Sequence, residues 1–307
     1  MFLQAKNLYK SFDDLNILSN INFSIEKGSV VSVVGKSGSG KTTLLNLISG
    51  FCKIDKGELL LDSININNLD ANKRNISYVF QESPLFPNLN VLQNITINNN
   101  TYKKEKLDFL IKKSEINHIL KSFPDELSGG EMQRVSVVRS LLRDPSLFLL
   151  DEPFCNLDQN TKKEVKNLVF EIINELKTTT LIVTHDVHDA LEISDKIMVL
   201  ENGVVNSLDT PFNTYNSPRS LHIANLFGDV NRIIIRDNEI FIRPENIYIS
   251  EKSNKKAIVI RSFFTGDKYK IIALLNNQKI VFYSKKNYKK NSKLGIEIKK
   301  EGVLTFK

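Results

Sequence analysis

One eight-residue segment constrains this chain more than any other: Gly35-Lys36-Ser37-Gly38-Ser39-Gly40-Lys41-Thr42, set between an apolar run at 30–34 and a helical pattern at 42–48. The segment fits GxxxxGK[ST], and the strand before it and helix after it are the context that pattern requires. Its glycines allow the backbone to curl so that successive N–H groups face an anion, and the following helix adds its positive end. Lys41 is expected to neutralise the charge of β- and γ-phosphates, and Thr42 to set its hydroxyl on Mg²⁺. Residues Gly35, Lys36, Ser37, Gly38, Ser39, Gly40, Lys41, Thr42 and Thr43 therefore read as a nucleoside triphosphate cradle. A glycine-rich turn alone is often only a turn; the frame around this one is what gives it chemical meaning.

The loop does not separate kinases, GTPases and transport ATPases, but residues further along do. Leu127-Ser128-Gly129-Gly130-Glu131 is followed by Gln133-Arg134, and a fully apolar run at 147–150 ends in Asp151-Glu152-Pro153. An apolar strand ending in paired carboxylates sets them at the sheet edge where doubly wound folds bind ligands. Asp151 is expected to hold Mg²⁺, and Glu152 to accept a proton from an attacking water. The plainer reading of an Asp-Glu pair after a strand is a helix N-cap, which leaves the LSGGE segment unexplained.

With these residues in view, the chain resembles the ATP-binding domain of ABC transporters over about residues 3–228. The resemblance takes in Gln81 of Tyr78-Val79-Phe80-Gln81 as the Q-loop, Asn156-Leu157-Asp158 as the D-loop and His185 of Thr184-His185-Asp186 as the switch histidine. Phe12 stands where the family keeps an aromatic against adenine. The resemblance implies catalytic roles for Glu152, His185, Gln81 and Lys41, and Mg²⁺ contacts from Thr42, Gln81 and Asp151. It also implies a head-to-tail homodimer enclosing two ATP molecules. In that dimer Ser128, Gly129 and Gly130 of one copy complete the site at Lys41 of the other, and Asp158 adds to the nucleotide contacts. Two membrane permease subunits are implied as partners, with a solute-binding protein acting indirectly. Gln81 would link nucleotide state to the permeases, because it adjoins a helical insertion at about 82–130.

The expected fold is α/β, a phosphate-loop NTPase of the ABC type with a mainly parallel central sheet. Apolar runs at 30–34, 147–150 and 181–183 suit strands buried on both faces, and the helix expected over 160–177 suits a crossover. Residues 103–122 read as a further helix, with Leu107, Leu110 and Ile111 on one face. After Pro218 the texture changes to short strands at 233–235, 240–242, 247–249, 257–260, 270–275 and 280–283. These imply a small all-β, OB-like module resembling TOBE domains over 229–307, with the boundary near Gly228. A length of 307 residues suits two domains.

The net charge of +7 invites a nucleic-acid reading, but the charge is unevenly spread. Residues 229–307 hold 18 Lys/Arg against 8 Asp/Glu, a net of +10, and the first 228 hold 24 against 27, a net of −3. No aromatic-basic recognition pattern accompanies the tail's lysines, so a solvated face is expected and no nucleic-acid partner. Asn98-Asn99-Asn100 reads as compositional bias. Cys52 and Cys155 lack metal-ligand spacing. No apolar stretch approaches the roughly 18 residues a membrane-spanning helix needs, and the N-terminus lacks a signal-peptide pattern. The expected location is peripheral, on the cytoplasmic face of the cell (inner) membrane.

Three features resemble importers whose ATPases carry a C-terminal domain. They are the Asp151-Glu152-Pro153-Phe154-Cys155-Asn156-Leu157-Asp158 run, the Ile242-Arg243-Pro244-Glu245 element, and the β-rich tail with Phe264-Thr265-Gly266. The segments 80–87 and 224–228 resemble ferric-iron importers most; polyamine, sulfate/molybdate and sugar importers have similar ones. Cys155 departs from the serine common at its position. Only 11 residues separate Asn231 from Arg243, which implies a single shortened β module suited to packing and dimerisation at least as well as to sensing. An export ATPase is the next reading, and the extra tail argues against it. A soluble ABC protein of translation or DNA repair would show a second LSGG or a heptad run, and neither is present. Glu152 argues against a non-enzymatic binding module.

Overall fold

Two groups of strands sandwich the first helix of this protein, whose computed structural model describes residues 1–13, 15–82, 84–97, 102–235 and 238–306. Ser83 of the 80–87 segment and the Asn98-Asn99-Asn100 run lie outside the described residues. The chain divides into two compact units, Met1–Pro211 and Phe212–Lys307.

Unit 1 opens with β1 (Leu3–Phe12), β2 (Leu15–Ile25), β3 (Val30–Val34), α1 (Lys41–Ser49), β4 (Lys56–Leu61), β5 (Ile64–Asn65) and β6 (Ile76–Val79). It continues through α2 (Val91–Thr96), α3 (Lys104–Lys113), α4 (Gly129–Leu142), β7 (Leu147–Asp151), α5 (Gln159–Leu176), β8 (Thr180–Val183), α6 (Val187–Ile193), β9 (Lys196–Glu201) and β10 (Val204–Asp209). The central sheet has the order β10-β9-β3-β8-β7-β6; β10 pairs antiparallel with β9 and the other neighbours pair in parallel. A second, antiparallel sheet of order β2-β1-β4-β5 carries the period-two residues Ile21, Phe23 and Ile25 on its buried face. A backbone bond from Ser19 N to Gly203 O (2.8 Å) joins the two sheets.

Every residue of β3, β7 and β8 is buried, which is why these segments read as continuous apolar runs. Alternate side chains serve opposite faces. Leu147 and Leu149 join Val31, Val33, α1 and the antiparallel sheet in one core, and Phe148 and Leu150 join α2, α3, α4 and α5 in the other. Arg74, itself buried, closes the end of α1 by donating to Leu47 O (2.7 Å) and Ile48 O (2.9 Å). The helix expected over 103–122 stops at Lys113. Glu115 takes a left-handed φ of 55°, and this turn lets Ile116 and Ile119, on a following 3₁₀ turn (Asn117–Ile119), reach the same core as Leu107 and Leu110.

Unit 2 begins within α7 (Pro211–Asn216), followed by α8 (Leu221–Leu226), and is then built of strands and short 3₁₀ turns. The strands are β11 (Asn231–Ile235), β12 (Asn238–Ile242), β13 (Ile247–Ile249), β14 (Lys256–Phe264), β15 (Tyr269–Leu275), β16 (Gln278–Ser284), β17 (Lys293–Ile298) and β18 (Val303–Leu304). They form a sheet of order β11-β12-β18 and another of order β13-β17-β14-β15-β16. Two side-chain amides bond β11 to β16 in place of a ladder. Asn231 accepts from Val281 N (2.6 Å) and donates to Val281 O (2.7 Å), and Gln278 accepts from Ile234 N (2.7 Å) and donates to Ile234 O (3.2 Å).

The division falls at Pro211, ahead of the Gly228 boundary read from composition. Arg243 explains the difference. It is 1% exposed, donates to Ala224 O (2.9 Å), Gly228 O (3.2 Å) and Tyr215 O (3.1 Å), and stacks on the Tyr215 ring. The Tyr215 hydroxyl also donates to Glu245 (2.6 Å). The Arg-Pro-Glu element thus binds α7 and α8 into the β unit.

Candidate nucleotide site

The ends of β3, β7 and β8 carry the residues singled out from the sequence. After β3 the loop narrows: a Cβ on Gly35 would lie 2.1 Å from Leu200 O. Gly40 caps α1 with φ 98°, and a Cβ there would lie 2.7 Å from Leu18 Cδ2. Lys41 then folds back over its own loop, donating from Nζ to Gly35 O (2.9 Å) and Lys36 O (3.0 Å). Burial pushes the Lys41 ammonium below its ordinary pKa, against the opposing pull of the Glu152 and Asp151 carboxylates. Lys36, Ser37 and Gly38 are exposed, and Thr43 is half-buried. Ser39 Oγ is buried without a hydrogen-bond partner among the described residues. An orphaned hydroxyl inside a loop of backbone amides suits an oxygen-rich anionic ligand.

Asp151 closes β7 at 7% exposure. Its Oδ1 accepts from Thr42 Oγ1 (3.3 Å) and its Oδ2 from the Tyr78 hydroxyl (2.9 Å). A hydroxyl and a carboxylate turned to one another are hard oxygen donors, the set that suits Mg²⁺. Parallel pairing sets Asp151 opposite Val183, and the next residue, Glu152, donates its N–H to Val183 O (2.9 Å). That register brings Glu152 Oε2 to 2.5 Å from His185 Nδ1. Glu152 holds a left-handed φ of 50°, an uncommon conformation for a residue other than glycine and a recurrent one at reactive sites.

Gln81 hydrogen-bonds the Cys155 thiol, which burial and the Glu152 charge push above the usual thiol pKa. The loop, Thr42, Asp151, Glu152 and His185 thus converge on the carboxyl edge of the sheet, while Gln81 engages the turn that follows Glu152. Phe12 and the LSGG segment behave differently. Phe12 is 45% exposed with the Lys10 ammonium 5.0 Å from its ring. Ser128 caps α4 in a capping box with Glu131, whose carboxylate the Ser128 hydroxyl and N–H hold below the usual range. Gly130 is pressed to α5, where a Cβ would lie 2.5 Å from Thr161 Cγ2, and Gly129 lies nearest Leu157. Asp158 caps α5 by accepting from Asn160 N (3.1 Å) and Thr161 N (3.2 Å). Among the described residues, no hydrogen bond or ion pair joins Phe12, Ser128–Gly130 or Asp158 to Lys41, Thr42, Asp151 or Glu152.

Two features escaped sequence reasoning. Tyr78 was legible as a strand residue, but nothing local reveals that its hydroxyl reaches Asp151. Behind His185, Lys162 bonds Asp186 (2.5 Å) and Asp189 (2.7 Å), and Lys166 bonds Asp189 (3.0 Å) and Glu192 (2.5 Å). The i,i+4 lysines of α5 and the acidic i,i+3 positions of α6 carried that signal.

The family model described as ABC transporter matches residues 18–155. The Spermidine/putrescine import ATP-binding protein PotA of Acetivibrio thermocellus is 32% identical, with 96% of this chain and 94% of that protein covered. The Fe(3+) ions import ATP-binding protein FbpC of Fusobacterium nucleatum is 34% identical (86% and 81% covered), and the Sulfate/thiosulfate import ATP-binding protein CysA of Pectobacterium atrosepticum 32% (85% and 83%). Among solved structures, the dimeric post-hydrolysis state of the ATP-binding cassette MJ0796 bound to ADP and Pi is 30% identical with a TM-score of 0.61, covering 68% of this chain and 98% of that one.

Proposed function

This chain belongs to the ATP-binding subunits of ABC transporters, and we propose that its own ATP site is the convergence of Lys41, Thr42, Asp151, Glu152 and His185 at the carboxyl edge of the central sheet. The observation that carries this reading is the pairing of a pre-folded phosphate loop, containing the orphaned Ser39 hydroxyl, with two carboxylates presented by β7. Residues 35–43 hold the phosphates through backbone amides and Lys41. Thr42 and Asp151 would hold Mg²⁺, with Gln81, which bonds the turn after Glu152, as a third contact; the ion would offset charge on the β- and γ-phosphates. Glu152 takes the proton of the attacking water, and His185, in contact with its Oε2, orients that carboxylate. Phe12 offers an exposed ring to adenine.

Ser128, Gly129, Gly130 and Asp158 act in a head-to-tail homodimer. The capped N-terminus of α4 in one copy supplies the remaining anion donors to the ATP of the other. Partnership with two permease subunits is supported by an exposed aromatic groove of about 880 Å³ at the β6 edge, where Phe51, Phe80 and Phe86 stand partly in solvent beside Arg139. No helix among the described residues is long and apolar enough to cross a membrane, which suits a peripheral subunit held at the cytoplasmic face by those permeases.

The direction of transport is import, as in the relatives named for it, whose similarity extends over 85–96% of this chain. Those relatives divide among sulfate/thiosulfate, spermidine/putrescine and Fe(3+) at 32–34% identity. Ferric iron leads by the 80–87 and 224–228 segments, and the solute-binding protein, not this subunit, selects the cargo. Ligand binding to the purified solute-binding protein of the same transporter measures it; a polyamine or sulfate ligand would replace iron.

Glu152→Gln tests the site. ATP binding should persist, turnover should fall on the order of 10²–10⁴-fold, and the closed dimer should accumulate. Turnover near that of the parent would remove Glu152 from the role of base.

A further inference from the structure

We propose that Tyr78 is a positioning residue for the Mg²⁺ contact made by Asp151, an inference that rests on the ATP site proposed above. Asp151 is nearly buried and meets two hydroxyl groups. The Thr42 contact is long for an O–H···O bond at 3.3 Å, whereas the Tyr78 contact at 2.9 Å lies within the usual range for a charge-assisted one. Of the two, Tyr78 is the stronger constraint on how the carboxylate is turned.

The Tyr78 hydroxyl is also fixed from behind. Tyr78 lies on β6, in register with Leu149 of β7, so its backbone is locked to the strand that carries Asp151. Its ring packs on Phe80 (4.4 Å between centroids) and Phe51 (5.6 Å). The hydroxyl donates to Oδ2, and Thr42, the other Mg²⁺ contact, bonds Oδ1. Tyr78 therefore holds the carboxylate from the side opposite Thr42. Among the described residues no hydrogen bond joins Tyr78 to residues 35–43, and its effect passes through Asp151. Hydrogen-bond partners of metal-binding carboxylates typically account for 10–100-fold in metal affinity.

Tyr78→Phe deletes one oxygen and keeps the ring contacts. Binding of a fluorescent ATP analogue to the full chain is followed while Mg²⁺ is titrated, and again in EDTA. The Mg²⁺ concentration at half-maximal response should rise about tenfold, with analogue affinity in EDTA unchanged. ATPase turnover at saturating Mg²⁺ should return to within about threefold of the parent, since no group that touches the nucleotide is lost. An unchanged Mg²⁺ midpoint, even with a lower Tm, would reduce Tyr78 to a packing residue and overturn the proposal. Equal loss of affinity in EDTA would overturn it too, because the defect would then not run through the metal contact. If the parent chain bound no analogue in either condition, the ATP-site reading itself would fall and this inference with it.

Discussion

Gly40 and Glu152 both adopt left-handed backbone, for opposite reasons. At Gly40 the conformation needs glycine twice over: φ is 98°, and a side chain would strike Leu18 and approach Ile17 O at 3.1 Å. Gly40→Ala should therefore cost about 2–4 kcal/mol, the sum of left-handed strain and overpacking, and should weaken ATP binding by shifting the α1 N-terminus. Thermal unfolding with and without ATP measures both; an unchanged Tm would show that the loop has room to relax. At Glu152 the strain is tolerated by a residue that gains nothing from it locally. The carboxylate gains its position instead, 2.5 Å from His185. A glycine in a GxxxxGK[ST] frame announces its conformation in the sequence. A strained glutamate does not, because its φ is set by the β7–β8 pairing and not by its own chemistry.

Several of the proposed site residues stand at helix starts: Gly40 and Lys41 at α1, Ser128 at α4 and Asp158 at α5. Ser128→Ala removes the side-chain cap and the hydroxyl donor to Glu131 while keeping the backbone N–H donor, and should cost about 1 kcal/mol while lowering ATPase activity without abolishing nucleotide binding by the monomer. An unchanged ATPase rate would sink the shared-site dimer. The acid limb adds a sign. Glu131 is held below its ordinary value of about 4.5 by Ser128, so its contribution is present above that pH and is lost as pH falls through the lower folded value. The stability gap between parent and Ser128→Ala should accordingly narrow in acid melts. These caps, the buried strands and the crossover helix could all be read from the chain, since each is a local pattern. The end of α3 could not, because Ile116 and Ile119 continue the apolar spacing and only the left-handed Glu115 breaks the helix. Tyr78 with Asp151, and Arg243 with α7 and α8, are likewise contacts between distant segments, invisible to periodicity.

For the whole molecule, Arg243 determines what unit 2 consists of. Its buried guanidinium is held by three carbonyls and one ring, with Nε unpartnered among the described residues. Arg243→Met should leave those carbonyls short of donors at about 1–3 kcal/mol each, and hydrogen exchange should quicken over 213–228 while β3 and β7 keep their protection. Protection lost equally in β3 would mean that the units unfold as one. The two cores of unit 1 differ in what they contain. One holds α1, the strand that feeds the phosphate loop and the antiparallel sheet; the other holds α2, α3, α4 and α5. Because β7 supplies alternate side chains to each, changes on one face need not be answered on the other. A substitution packed against α2–α5 can therefore be absorbed without disturbing the packing around α1 and the strand that feeds the phosphate loop.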